Sequence, residues 1–127
     1  MSALVLDAGA FVAADRADRA MAARLRVAQQ AGLELRSTGP VITQVWRDPG
    51  GRQANLARLL ESVDVRAIDE GLGRAAGVLL GIAAATDAVD ASVVAVSATG
   101  DQILTSDTDD IGPLVAASGR AIRIVAC

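Results

Sequence analysis

Apolar residues arrive along this chain in two rhythms. Short unbroken runs, Leu4-Val5-Leu6 first among them, stop at a polar turn, here Asp7-Ala8-Gly9, as a buried strand does on passing into a loop. Longer stretches carry apolar positions at helical spacing. Between Asp18 and Ala31 the stripe is Met21, Leu25 and Ala28, with Arg16, Arg19, Arg24 and Arg26 off it and Gly32 as a stop. Leu33 to Arg36 alternates like a strand. Pro40 then opens a short helix carrying Val41, Val45 and Trp46, and Pro49-Gly50-Gly51 breaks the chain. The same signals predict a helix over Arg52–Ser62, a strand over Val63–Ile68, and helices over Glu70–Ala85 and Asp87–Ala98. A strand over Gln102–Thr105, a helix near Asp109–Ala117 and a strand over Ile122–Val125 complete the pattern.

Strands and helices in alternation imply an α/β fold in three layers, a mostly parallel sheet with helices on both faces. Functional sites in such sheets form just beyond the carboxyl ends of the strands, where Asp7 and Asp107 both fall. At 127 residues, 52% of them hydrophobic, the chain reads as one domain over 1–127 with a proper core. No apolar stretch is long enough to cross a bilayer, and the N-terminus has no basic lead or signal-peptide pattern, so a cytoplasmic protein without membrane contact is expected.

Composition narrows the chemistry. The chain has no His and a single cysteine, Cys127, so His-based triads, cysteine metal cages and an internal disulfide are excluded. Catalysis would have to use carboxylates, hydroxyls, Arg, backbone groups or a bound cofactor. A net charge of −3 argues against a protein whose whole surface grips nucleic acid, but not against a local basic patch.

Asp7, Asp90 and Asp107 stand out, far apart in sequence. Were the fold to gather them, mutual repulsion would raise their pKa values unless a cation neutralised them. Mg²⁺ or Mn²⁺ suits that role, because hard ions prefer oxygen ligands and keep waters for metal-assisted phosphodiester hydrolysis. The plainer reading is that Asp87-x-x-Asp90 and Asp107-x-x-Asp110 cap and charge two helix N-termini. Asp87 and Asp90 share a helix face, with Asp90 the expected ligand and Asp87 the expected cap or outer support.

Four segments in order, Leu4-Val5-Leu6-Asp7-Ala8-Gly9-Ala10, Gln44-Val45-Trp46-Arg47, Asp87-Ala88-Val89-Asp90-Ala91 and Ile103-Leu104-Thr105-Ser106-Asp107-Thr108-Asp109-Asp110, resemble the PIN domain, and VapC-type toxins within it. The resemblance implies a PIN-like fold and a ribonuclease with Mg²⁺ or Mn²⁺ held by Asp7, Asp90 and Asp107. It further implies RNA as substrate, a homodimer, and a cognate antitoxin whose segment covers the acidic groove. Asp110, Asp87, Thr105 and Arg47 are accessory positions. The family's second acid, normally Glu, falls on Gln44, a neutral side chain and a poorer ligand for a hard cation. Ala8 and Gly9 stand where Thr or Ser often follows the first Asp. A catalytically silent domain acting as an RNA- or protein-binding module is the alternative that Gln44 keeps open. A receiver-type signalling domain would also place Asp after parallel strands, but would ordinarily need a Lys, and this chain has none.

Other features weigh less. Gly71, Gly73 and Gly77 fit neither a dinucleotide fingerprint nor a Walker loop. Gly73, Gly77 and Gly81 form a small-residue stripe, expected to pack in the core, with a subunit contact as the sharper alternative. The Arg16–Arg26 cluster reads first as a solvated helix face and second as an RNA contact. Arg47 and Arg52 are better placed to line the site. Asp48 is expected in a turn, and Trp46 in the core.

Overall fold

The computed structural model describes residues 2–48 and 50–127, so Pro49 of the expected chain break lies outside the described residues. The elements are β1 (Ala3–Leu6), α1 (Ala8–Asp15), α2 (Arg19–Gln30), β2 (Glu34–Thr38), α3 (Gly39–Val45), α4 (Ala54–Leu60), β3 (Val63–Arg66), α5 (Glu70–Ala83), α6 (Ala88–Ala95), β4 (Gln102–Thr105), α7 (Thr108–Ser118) and β5 (Arg123–Ala126). The five strands form one sheet in the order β3-β2-β1-β4-β5, and every pairing is parallel. This is the three-layer α/β architecture that the alternation of elements predicts.

Topology follows from the handedness of crossovers. From β1 the chain moves outward to β2 and β3, then returns across β1 to β4 and β5. Right-handed connections therefore put α1 to α4 on one face and α5 to α7 on the other. The packing agrees: α1 touches α2, α3 and α4, while α5, α6 and α7 pack on one another. β1 is central and covered on both sides, so all four of its residues are buried, as a fully buried parallel strand requires.

Two expectations fail here. Asp7-Ala8-Gly9 is no loop: Asp7 caps α1, which begins at once. The segment Ala8–Asp15 is apolar almost all round and so lacks a helical stripe, which hid the helix. Nor does the glycine stripe of α5 pack in the core. Gly73, Gly77 and Gly81 are exposed, and a Cβ added at any of them would meet nothing within 4 Å. Val78 and Ile82 are exposed beside them.

β2 also departs from simple alternation, with Leu35 through Thr38 all buried. Arg36 is among them, its guanidinium bonded to Val96 O (3.0 Å), Asp101 (3.2 Å) and Glu34 (3.3 Å). Asp101 in turn accepts from Ala3 N and Ala98 N, and so ties β1, α6 and β4 together at one point. Among the described residues, no single helix is long and apolar enough to cross a membrane.

Candidate functional site

The strand order reverses between β1 and β4, since one half of the sheet grows outward from β1 and the other from β4. At such a switch point the two neighbouring connections leave on opposite faces, and a crevice opens beyond the carboxyl ends of the strands. Asp7 directly follows β1 and Asp107 lies two residues beyond β4. The topology thus brings together two acids a hundred residues apart.

Asp7 is buried and held at both carboxylate oxygens. Oδ1 accepts from Ala8 N (2.8 Å), capping α1, and Oδ2 accepts from the Thr105 hydroxyl (2.7 Å) at the end of β4. The same Thr105 oxygen accepts from Asp107 N (2.9 Å), which fixes the start of the β4–α7 turn. Thr105 is therefore the clamp between the two strand ends. Gly9 has a matching role. A Cβ there would lie 2.8 Å from Ser106 Oγ and 3.1 Å from Ser106 Cβ, so the missing side chain lets α1 sit against the β4–α7 turn.

Asp90 enters from α6, whose N-terminus lies at the same end of the sheet. Asp87 caps that helix through Val89 N (2.9 Å) and Asp90 N (3.1 Å), which orients its first turn. Asp90 is only 5% exposed. Burial, with the charges of Asp87, Asp7, Asp107 and Asp110 added to it, pushes its carboxyl from 3.8 up to about 7. Asp107 and Asp110 are exposed, and Asp107 makes no side-chain cap bond although it occupies the N-cap of α7.

Among the described residues, Gln44 and Arg47 make no hydrogen bond to these acids. Gln44 is exposed on α3. That helix is tied to α6 by a bond between Thr38 Oγ1 and Ser92 Oγ (2.9 Å), and Thr38 also caps α3. Arg47 does not reach toward the acids: its Nη1 folds back onto Thr43 O (3.0 Å) and Trp46 O (2.7 Å), closing the end of its own helix. Asp48 takes a turn conformation with φ 44°. Trp46 packs half-buried against the core.

Several structural partners of the site were not visible in the sequence. Ser37 Oγ donates to Leu6 O (2.7 Å), bracing the residue before Asp7. Gln53 is buried and accepts from the backbone N–H groups of Arg47 and Asp48 while donating to Val45 O and Asp15. Nothing local to these residues signals such roles, since each partner comes from a different part of the chain. Cys127 lies near the site as well, its N–H on Thr105 O (3.0 Å) and its thiol pushed up by burial.

Every side chain in the cluster offers hard oxygen, the donor type that Mg²⁺ and Mn²⁺ select. The charge crowding around Asp90 is the condition that a divalent cation relieves. In chemistry the residues therefore fit such an ion. Their side chains are not drawn into a closed cage, and among the described residues no three acidic or cysteine groups are gathered tightly enough to hold one. Compared with known proteins, the chain matches no family model and no curated protein.

Proposed function

We propose that this chain is a PIN-like ribonuclease of the VapC toxin type, which hydrolyses RNA phosphodiester bonds with Mg²⁺ or Mn²⁺ and is inhibited by a cognate antitoxin. The observation that carries this reading is the buried Asp90 at the switch point of a parallel sheet, its carboxyl raised to about 7 by burial first and by the charges of Asp87, Asp7, Asp107 and Asp110 second. A buried carboxyl with further acids at the same strand ends is what a cation site presents. Asp7, Asp90 and Asp107 would hold the ion, which supplies an activated water and neutralises charge on the phosphate.

The chain's own groups do the positioning. Two hydrogen bonds keep the Asp7 carboxylate from rotating, Thr105 locks the neighbouring turn, and Asp87 sets the first turn of α6 under Asp90. The N-termini of α1, α6 and α7 meet at this end of the sheet, and their dipoles favour an anionic phosphate there. Gln44 contributes a neutral amide in place of an acid, lowering the negative charge that RNA must approach. The exposed face of α5, with Val78 and Ile82 flanking three glycines, is where two copies would meet as a homodimer.

A catalytically silent binding module is the second reading, favoured by Gln44 and by the open spacing of the acids. Cleavage of a mixed RNA pool by purified, antitoxin-free protein with Mg²⁺ or Mn²⁺ separates the two. Cutting that is lost with EDTA and with the Asp7→Asn, Asp90→Asn double variant is the expected result. Cutting only after Gln44→Glu would show a degenerate site, and no cutting even then would leave the binding module.

A further inference from the structure

The other end of α6 is lined by arginines rather than acids. There, far along the helix from Asp90, an open cavity of about 440 Å³ is lined by Arg36 from β2, Arg66 from β3 and Arg120 from the turn before β5, together with Ser97, Thr99 and Leu72. Among the described residues, no Asp or Glu lines it. The carboxylates that pair with these arginines hold them from outside the cavity wall: Asp64 on Arg66 Nε (2.6 Å), Asp101 on Arg36 Nη1 and Glu34 on Arg36 Nη2.

Each guanidinium is thus fixed along one edge. Arg120 directs Nη1 to Ser97 O (2.7 Å), and Arg66 uses Nε. Among the described residues, the remaining donors, Nη1 and Nη2 of Arg66 and Nε and Nη2 of Arg120, have no bonded acceptor. Arg36 is the deepest of the three, its side chain 10% exposed, and its buried Nε has no partner at all. Arg66 and Arg120 thus bring spare donors to an open space with the buried Arg36 behind them, an arrangement suited to an oxyanion because a guanidinium fork matches phosphate geometry.

We propose that the Arg36–Arg66–Arg120 cavity is an anion site that takes a phosphate group. That group belongs either to a free phosphorylated small molecule or to a nucleic-acid strand. The site is separate from the acidic cluster and does not depend on what that cluster does. Asp64, Asp101 and Glu34 act as supports that orient the arginines, and Thr99 adds a hydroxyl at the rim.

Calorimetric titration of the whole chain in EDTA, at constant ionic strength, tests this with inorganic phosphate, adenosine monophosphate and a short RNA without terminal phosphates. EDTA removes any binding through a cation at the acidic cluster. Saturable binding that weakens about tenfold or more in Arg66→Gln/Arg120→Gln is the expected outcome. Thr99→Glu, which brings a negative charge to an exposed rim position, should weaken it as well and serves if the double variant folds poorly. Binding of the mononucleotide alone would identify a small-molecule site, and binding of the RNA alone a strand contact. No saturable binding of any probe, or equal binding by wild type and Thr99→Glu, would overturn the proposal.

Discussion

At the scale of single residues, Asp90 makes the pH dependence of this protein unusual for an acid-rich domain. Its carboxyl titrates near 7 in the fold and near 3.8 when the chain is unfolded, so the folded state binds the extra proton between those values. Stability is therefore greatest from this group below about pH 4, falls as pH rises toward 7, and levels off above it. The full difference corresponds to about 4 kcal/mol at most. Asp90→Asn should raise the denaturation midpoint at pH 8 and flatten the decline between pH 5 and pH 8, measured by urea unfolding. Addition of Mg²⁺ or Mn²⁺ at pH 8 should stabilise the wild type more than this variant if a cation sits there. Thr105 offers a second test. Thr105→Val keeps the buried volume but removes the donor to Asp7 and the acceptor for Asp107 N, a loss of about 1–3 kcal/mol in the same measurement.

At the scale of elements, the contact between α1 and the β4–α7 turn decides how closely the two site-bearing strand ends approach. Gly9→Ala pushes a methyl group against Ser106 and Cys127, which must give way, and should cost about 1 kcal/mol. Combining it with Ser106→Gly should restore most of that loss, a non-additivity readable in a double-mutant cycle by chemical denaturation. The resemblance leads one to expect a hydroxyl residue at position 8 or 9. Here Ser106 and Thr105 bring hydroxyls to that place from the neighbouring strand, which gives Gly9 its physical reason. The same element explains the main misreading of the sequence. Periodicity reveals a helix only when one side faces water, and α1 is apolar on nearly every side.

At the scale of the whole molecule, the proposed homodimer puts the exposed side of α5 at its interface. Val78→Asp with Ile82→Asp should leave the far-ultraviolet circular dichroism unchanged, because both side chains are more than 60% exposed, and should give a monomer by light scattering where the wild type gives the proposed dimer. Much of the fold was legible without coordinates. Strand runs ending in Asp, the Met21-Leu25-Ala28 stripe and glycine stops gave the alternating order, and the two strand-end acids followed from it. By itself the sequence determined local periodicity, the absence of His-based chemistry and the acids available, because these depend on neighbours along the chain or on composition. The tertiary structure alone decided that β1 lies beside β4, that Asp90 is buried at the end of the sheet where the other acids lie, that Arg47 folds back onto the end of α3, that the α5 glycines face outward and that three arginines share one cavity. Each of these rests on contacts between residues far apart in the chain, and neither spacing nor propensity carries that information.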